Sequence, residues 1–279
     1  MNALTTYPTN EKTMYSDGNR RPLEGQRALV TRANIGNGPT VALALAEAGA
    51  KVMINYLDQR EKAQQVAELI RAKEGQAMIF QADVSQENQV KSMFDVLIAY
   101  WGSVDILVNN TDLQNNAALV DMSLEQWNHV INFNLTGQFL CVREAVREFL
   151  RRGEYPELSK AVGKIICMSL LVDENSSVGY FNYAAAKGGL TMFMKMLAKE
   201  LAKDNIRVNG IAPITCKSSS NRIKPSMPDE KYGLLSPRCK FRDIAQTAVW
   251  LASDESDTIS GMTCYIENRL SQPSELISA

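Results

Sequence analysis

The chain has 279 residues, with 30 Lys and Arg, 31 Asp and Glu, one His and a net charge of −1 at pH 7. This even balance argues against nucleic acid and an acidic membrane surface as partners, and no apolar run reaches the roughly 18 residues of a membrane span. The five cysteines lack CxxC spacing. They indicate neither a disulfide framework nor a metal site, and we predict a cytoplasmic protein.

Residues 1–22 are polar and contain many turn-forming residues, which predicts a flexible arm before a single domain at 23–279. In that domain, short runs rich in Val, Ile and Leu alternate with longer segments of helical period. Runs with little polar alternation are typical of strands buried on both faces of a parallel sheet. The predicted strands are 27–31, 51–56, 77–81, 105–108, 164–168, 207–211 and 263–266.

Helices are predicted between these strands. Their positions are 40–47, 61–73, 87–100, 123–150, 183–201 and 242–252, of which 123–150 is one helix or two in line. This alternation predicts an α/β fold, a Rossmann-like doubly wound parallel sheet of about seven strands with helices on both faces. The proline-rich stretch 213–241 interrupts the pattern. A loop of that length is either a lid or binding segment, or a tolerated insertion.

A glycine-containing turn joins the first predicted strand to the first predicted helix. Gly36 and Gly38 let the backbone approach a ligand closely, and the helix N-terminus can hold a pyrophosphate. Arg32 in the same turn either pairs with the 2′-phosphate of NADP or is a solvated arginine on a reshaped turn. The second strand ends near Asn55 without the acidic residue that would bond a free ribose, although Asp58 lies just beyond. We therefore predict NADP or NAD as the cofactor, with NADP favoured.

Tyr183 and Lys187 lie one turn apart on one face of a predicted helix. An ammonium beside a phenol favours the phenolate, so we expect the pKa of Tyr183 to fall from about 10 toward neutrality. Such a tyrosine can take a proton from an alcohol, or return one to a carbonyl, while a nicotinamide carries the hydride. The alternative is an amphipathic helix that happens to carry both residues.

Taken in order along the chain, these motifs resemble those of the short-chain dehydrogenase/reductase family over roughly residues 23–270. The matching residues are Thr31-x4-Gly36-x-Gly38, Asp83-Val84, Asn109-Asn110, Asn134, Tyr183-x3-Lys187, Arg207-x-Asn209 and Ala212-Pro213. Within the family, the pattern is most similar to bacterial glucose 1-dehydrogenases. The resemblance implies an NAD(P)-dependent oxidoreductase that acts on a sugar, a polyol or another small secondary alcohol or carbonyl. It also implies a homo-oligomer, either a tetramer or a dimer.

The resemblance further implies a role for individual residues. Tyr183 would be the acid/base, assisted by Lys187 and by Asn134, which holds a water in a proton relay in relatives. A buried Asn134 that only bonds the helix backbone is the alternative. The implied cofactor contacts are Thr31, Arg32, Gly36, Gly38, Asn55, Asp83, Val84, Asn109, Pro213 and Ser218.

The chain departs from the family pattern at several of these places. The catalytic serine of glucose 1-dehydrogenases falls at Leu170, so one hydroxyl donor to the substrate is missing. Losing such a donor raises the activation barrier by about 3–4 kcal/mol. Ser169 is adjacent, but neighbouring strand residues point to opposite faces. In the other departures, Arg32 stands where the family has glycine, Thr111 and Asp112 where it has alanine and glycine, and Ile214 where it has glycine; the segment 266–269 also differs. The alternative to an impaired enzyme is a catalytically silent protein of this fold with a scaffold, sensor or partner role.

Overall fold

A computed structural model describes residues 21–169, 179–213 and 241–266. Within these ranges, seven parallel strands form one sheet in the order β3-β2-β1-β4-β5-β6-β7, which confirms the predicted doubly wound fold. The strands are β1 (Arg27–Val30), β2 (Lys51–Tyr56), β3 (Ala77–Gln81), β4 (Ile106–Asn109), β5 (Gly163–Met168), β6 (Ile206–Pro213) and β7 (Thr263–Ile266). Nearly all of the predicted arm and of the predicted lid lies outside the described residues, as do Leu170, Ile214 and Ser218.

Helices fill the connections between the strands. They are α1 (Gly38–Glu47), α2 (Arg60–Ala72), α3 (Glu87–Trp101), α4 (Leu124–Ile131), α5 (Gly137–Arg152), α6 (Phe181–Leu201) and α7 (Phe241–Ala252). The predicted helix at 123–150 is two helices in line, because a π-helical turn at Asn132–Thr136 joins α4 to α5. A capping box fixes the start of α4, since the Ser123 hydroxyl accepts from the Gln126 backbone and the Gln126 side chain accepts from the Ser123 backbone. No helix in the described ranges is long and apolar enough to cross a membrane.

The sheet separates two hydrophobic cores. Successive residues of a strand enter opposite cores, as Leu29 and Val30 of β1 do. One core packs α1, α2 and α7 against the sheet, and the other packs α3, α5 and α6. Both faces of the central strands are therefore buried, which explains why their sequences lack polar alternation.

Buried charges brace the amino-terminal edge of the sheet. Asp105 precedes β4 and is almost fully buried. It accepts two hydrogen bonds from the Arg27 guanidinium, at 2.6 and 2.9 Å, and also pairs with Arg152. Lys164 is buried at the same edge, where desolvation lowers its pKa to about 8. This network lies at the end of the sheet opposite the candidate site.

Candidate active site

The candidate site lies where the order of the strands reverses. Strand β1 sits between β2 and β4, so the chain leaves β1 toward one side of the sheet and later returns to its other side. In open α/β sheets, ligands bind at such a point, beyond the carboxyl ends of the strands. Thr31 follows β1 and Asn109 ends β4, which places both beside this crevice. The topology thus brings the predicted cofactor residues of these strands together.

The turn after β1 is fixed by bonds to two neighbouring strands. Arg32 has a left-handed backbone with φ of +47°, which non-glycine residues seldom adopt. Its backbone N–H donates to Asn55 Oδ1 at 3.0 Å, and its carbonyl accepts from Asn110 Nδ2 at 3.0 Å. The Thr31 hydroxyl accepts from the Asn110 backbone at 2.8 Å. These three bonds hold a residue that replaces glycine in a conformation suited to glycine.

The two glycines of this turn have different surroundings. A Cβ on Gly38 would lie 2.6 Å from the Ala33 Cα and 2.6 Å from the Arg32 carbonyl oxygen, so Gly38 lets the turn close on itself. Gly36 has φ of +61°, and among the described residues nothing lies within 4 Å of the place its Cβ would take. Gly38 is therefore needed for the turn to close, whereas Gly36 borders open space next to the start of α1.

The residues at this turn fit the phosphates of a dinucleotide. Helix α1 begins here with a proline in its first turn, and no side chain in the described part of the chain caps it. The N–H groups of Gly38 and Val41 bond backbone carbonyls and Pro39 has none, so the helix offers an anion mainly the positive end of its dipole. Arg32 Nε is also buried, and within the described ranges it has no hydrogen-bond partner. A half-buried guanidinium with an unsatisfied N–H, beside the positive end of a helix dipole, fits a phosphate.

The Arg32 guanidinium is directed toward the loop after β4. Its Nη1 donates to the Asp112 carbonyl at 2.5 Å, and its centre lies 5.4 Å from the centroid of the Phe133 ring. Burial lowers its pKa, and the nearby Asp112 and Asp58 carboxylates oppose that shift. The side chain thus crosses the crevice from one strand end to the other. Arg32 is therefore half-buried and bonded to the protein, unlike the solvated arginine considered from the sequence, while its pairing with a 2′-phosphate stays a prediction.

Three partners hold the loop residues 111–113 from different sides. Asn134 bonds both backbone groups of Leu113, donating to its carbonyl at 2.7 Å and accepting from its N–H at 3.0 Å. Lys187 donates to the Thr111 carbonyl at 2.8 Å, and Gln138 donates to the Thr111 hydroxyl at 2.8 Å. Asp112 lies between these two anchored residues.

The Tyr183 hydroxyl donates to Asp112 Oδ1 at 2.7 Å, while the tyrosine itself is only 4% exposed. Burial raises the pKa of Tyr183, and the Asp112 carboxylate raises it further by its charge and by accepting the phenol proton. The expectation that Lys187 lowers this pKa toward neutrality is therefore wrong. An anion contacts the phenol oxygen directly, and burial disfavours the phenolate, so Tyr183 is a neutral phenol at pH 7.

Lys187 lies one turn beyond Tyr183, with its Nζ 5.6 Å from the centroid of the tyrosine ring. Its ammonium donates to the carbonyls of Thr111 and Met168, at 2.8 and 3.0 Å, so it connects the ends of β4 and β5. Complete burial lowers its pKa. Asn134 lies in the π-helical turn and also donates to the Val130 carbonyl at 3.1 Å. Both ends of its side-chain amide therefore bond backbone, that of the loop as well as that of the helix, and its role in a proton relay stays a prediction.

The remaining predicted cofactor residues brace the same edge of the sheet. Asn55 donates to the Ala82 carbonyl at 3.0 Å, in addition to its bond with Arg32. Asp83 Oδ1 accepts from the backbone N–H and the hydroxyl of Ser85, and Asn109 donates to the Gln138 carbonyl. Val84 is buried and would meet any Cβ added at Gly137, while Pro213 ends β6. The Ser169 hydroxyl hydrogen-bonds the Thr191 hydroxyl at 3.3 Å, and Thr191 lies about two helical turns beyond Tyr183.

Sequence reasoning noted Asp112 only as a departure from the family pattern and gave it no role. The signal was present, because a carboxylate stood two residues after Asn110 in a loop expected beside the cofactor. Its contact with Tyr183 spans 71 positions of the chain, which no local pattern reports. Gln138 was missed for the same reason, since it reaches Thr111 across 27 positions.

The chain is similar to one family of proteins along most of its length. A family model described as enoyl-(acyl carrier protein) reductase matches residues 32–268. A 3-oxoacyl-[acyl-carrier-protein] reductase of Staphylococcus epidermidis is 35% identical over 243 residues, which cover 86% of this chain and 96% of the relative. The chain belongs to the short-chain dehydrogenase/reductase family. It is therefore an oxidoreductase by family, as the sequence predicts.

Solved structures of other short-chain dehydrogenases/reductases share the fold. One from Mycobacterium marinum has a TM-score of 0.76 and 30% identity, covering 91% of this chain and 98% of that one. Another, from Burkholderia cenocepacia J2315 in complex with NADP, has a TM-score of 0.76 and 27% identity, covering 88% and 98%. The closer kinship to glucose 1-dehydrogenases stays a prediction.

Proposed function

We propose that this short-chain dehydrogenase/reductase interconverts a secondary alcohol and its carbonyl with NADP or NAD, and that Tyr183 is the acid/base. The observation that carries the proposal is the buried Tyr183 hydroxyl, held at the crevice one turn from Lys187 and hydrogen-bonded to a carboxylate. The NADP complex of the Burkholderia cenocepacia relative supports the choice of cofactor. The name of the Staphylococcus epidermidis relative supports carbonyl chemistry.

The cofactor's phosphates would be held by the backbone at Gly36, the start of α1 and the Arg32 guanidinium. When bound, the nicotinamide supplies or accepts the hydride. Tyr183 moves the proton at the substrate oxygen. Lys187 keeps the ends of β4 and β5 in place beside Tyr183, and Asn134 fixes the loop that carries Asp112. The crevice excludes bulk water from the phenol, which strengthens its hydrogen bonds.

For the substrate, the sequence pattern favours a sugar or polyol, whereas the Staphylococcus epidermidis relative is named for a 3-oxoacyl thioester. Each of these substrates is one member of a secondary alcohol and carbonyl pair, and the same transfer of a hydride and a proton interconverts either pair. We therefore propose the couple rather than a single compound. Glucose and a 3-oxoacyl thioester are the two substrates to assay first.

Cofactor titration tests the proposal directly. NADPH and NADH are titrated side by side against the protein, with quenching of their fluorescence and the thermal midpoint as readouts. We expect saturable binding of at least one of them. Gly36→Asp is expected to abolish it, because a carboxylate would stand where the phosphates bind. Gly102→Asp is the matched control, since Gly102 also has positive φ, +85°, and no described atom within 4 Å of its Cβ position.

A chain that binds neither cofactor at millimolar concentration would contradict the proposal. The silent alternative would then stand, and one observation would support it. Arg32 bonds the Asp112 carbonyl and the Asp112 carboxylate bonds Tyr183, so the protein's own groups already occupy part of the crevice. Binding that is equal in Gly36→Asp and in the parent would place the cofactor elsewhere and would also refute the proposed site.

We also propose a homo-oligomer assembled through the outer faces of α5 and α6, and a cytoplasmic location. Large apolar side chains are exposed on these helices, namely Phe139 at 42%, Leu150 at 52%, Met192 at 59% and Met196 at 56%. Phe139 of α5 also packs edge-on against Phe193 of α6, with ring centroids 6.3 Å apart, so the two helices share one apolar surface. Exposed apolar patches of this kind mark interaction surfaces.

Light scattering coupled to gel filtration tests this assembly. The parent is expected to elute as a dimer or tetramer, and Phe139→Glu as a smaller species, because a charge would be buried in the interface. Tyr100→Glu is the control, since Tyr100 is 72% exposed and lies on α3 rather than on either of these helices. A monomeric parent would refute the proposal.

A further inference from the structure

We propose that Asp112 is a positioning residue for Tyr183 and receives its hydroxyl proton, so that the two side chains relay a proton between the substrate oxygen and solvent. The inference rests on the proposed function, because it concerns the proton that an alcohol loses as the carbonyl forms. Its basis is the contact between the Tyr183 hydroxyl and Asp112 Oδ1 at 2.7 Å. That distance is typical of a charge-assisted O–H···O bond.

The backbone around Asp112 is held in place by bonds from four elements. Arg32, from the turn after β1, donates to the Asp112 carbonyl. Asn134, between α4 and α5, bonds both backbone groups of Leu113. Lys187 of α6 and Gln138 of α5 bond the preceding residue, Thr111. A carboxylate on a loop fixed in this way is preorganised toward its partner, as a group that takes part in proton transfer must be.

The two members of the pair differ in exposure. Tyr183 is 4% exposed, whereas Asp112 is exposed to solvent. The pair therefore spans from the buried crevice to the surface. A proton that reaches Asp112 passes to water without a further protein group. Within the described residues, Tyr183 itself is too deeply buried to pass a proton to solvent in this way.

The proton and electron balance of the relay closes. In alcohol oxidation, the substrate O–H bond breaks and its proton bonds to the Tyr183 oxygen. At the same time the Tyr183 O–H bond breaks, and that proton bonds to the Asp112 carboxylate. The electron pair left on the substrate oxygen forms the carbonyl as the hydride leaves carbon for the nicotinamide dinucleotide, which is the oxidant of the proposed function. Carbonyl reduction follows the same path in reverse.

The relay makes a tyrosine with a raised pKa usable as a base. Tyr183 is a neutral phenol before and after the step, so no isolated phenolate has to form in the buried site. Without Asp112 as the proton acceptor, a tyrosine in this environment would have to ionise first, which burial opposes. Asp112 thus lets Tyr183 act as a base, a function that the sequence analysis assigned to the effect of Lys187.

The other charged or titratable groups facing the pair are already engaged. Lys187 donates to two backbone carbonyls, and Arg32 donates to the carbonyl of Asp112 rather than to its carboxylate. The Tyr180 ring lies edge-on to Tyr183 with centroids 6.5 Å apart. Gln114 hydrogen-bonds the phenol and lowers the pKa of Tyr183, against the larger effects of burial and Asp112. Among the charged groups of the described residues, it is the Asp112 carboxylate that hydrogen-bonds the Tyr183 hydroxyl.

The test replaces Asp112 with asparagine in the full chain. Asp112→Asn keeps an oxygen that can accept from Tyr183 but removes the negative charge and the proton acceptor. Asp121→Asn is the matched control, because Asp121 is an exposed aspartate in the same segment and the substitution removes the same charge. The first readout is the absorbance of the phenolate, which is titrated with pH in the protein without cofactor. The part of the signal that is lost in Tyr183→Phe is that of Tyr183.

Two results are expected. In the apoprotein, the phenolate of Tyr183 forms at lower pH in Asp112→Asn than in the parent, because the neighbouring anion is gone. With substrate and cofactor, kcat falls by roughly 10²-fold at neutral pH. The rate of the variant then rises by about tenfold per pH unit as Tyr183 has to ionise unaided, while the parent profile is flat through neutrality. Asp121→Asn matches the parent in both readouts.

Contrary results separate the possible failures. An unchanged rate and pH profile in Asp112→Asn would overturn the relay while leaving the proposed function in place. A variant that turns over faster or binds cofactor more tightly would also overturn it, because Asp112 would then be an obstacle in the site. A parent that binds neither cofactor would refute the proposed function and the relay together, and the cofactor titration identifies that case by itself.

Discussion

Tyr183→Phe is expected to lower kcat by roughly 10²–10⁴-fold, which is the usual contribution of one acid/base group. The substitution removes a single oxygen from a side chain that is 4% exposed and keeps the ring. The cofactor contacts at Gly36 and Arg32 come from other elements, so cofactor affinity is expected to change by less than about threefold. The measurement is steady-state turnover together with fluorescence titration of the cofactor. A large loss in kcat with unchanged affinity assigns Tyr183 to the chemical step.

Tyr100→Phe is the matched control for this variant. Tyr100 lies on α3 and is 72% exposed, so the same chemical change is made far from the crevice. Its turnover is expected to equal that of the parent. If Tyr183→Phe kept full activity, another group would have to handle the proton, and both the proposed function and the relay would be wrong. A variant with lost cofactor binding would instead indicate that the hydroxyl holds the site in shape.

The fold was largely predictable because its signals are local. Continuous apolar runs mark strands buried on both faces, and the structure places β2, β3 and β7 at the predicted residues. The helical period located every helix to within a few residues. It could not distinguish one helix from two at 123–150, because the π-helical turn at Asn132–Thr136 preserves the direction of the chain and adds only one wider turn.

The site was predictable only in part. The pairing of Tyr183 with Lys187 follows from a spacing of four on a helix, and that spacing is local. The protonation of Tyr183 is not local, because it depends on burial and on a carboxylate 71 positions away. Arg32 is a second example. Its side chain can point toward β2 or toward β4, and the choice is made by the stacking surface of Phe133 and the Asp112 carbonyl.

Two of the departures from the family pattern, Arg32 and Asp112, are therefore connected in space. Arg32 replaces a glycine after β1, and Asp112 replaces another after β4. In the sequence these two replacements are far apart, whereas in the structure the Arg32 side chain bonds the backbone carbonyl of Asp112. Two changes that contact each other, one of which also bonds Tyr183, are explained better by one altered arrangement of the site than by independent decay. The Asp112→Asn test decides which explanation holds.

Asp105→Ala is expected to destabilise the protein by about 3–5 kcal/mol, the usual result of removing one partner of a buried ion pair. The Asp105 side chain is 2% exposed, and it pairs with the Arg27 and Arg152 guanidinium groups, which are 15% and 14% exposed. Without the carboxylate, two nearly buried cations would face each other with no counter-charge. The Arg27 backbone N–H would also lose its acceptor, at present 2.8 Å away. Urea denaturation followed by circular dichroism measures the difference.

Asp257→Ala is the matched control, because Asp257 pairs with Lys160 at the surface, where side chains are 37% and 69% exposed. Solvent screens that pair, so the midpoint of the control is expected to stay within error of the parent. Asp105 lies at the opposite end of the sheet from Tyr183, so the turnover of Asp105→Ala per folded molecule should match the parent below its unfolding midpoint. Equal destabilisation in both aspartate variants would show that the buried network contributes no more than a surface pair. Lost turnover in folded Asp105→Ala would show instead that the amino-terminal edge of the sheet is coupled to the crevice.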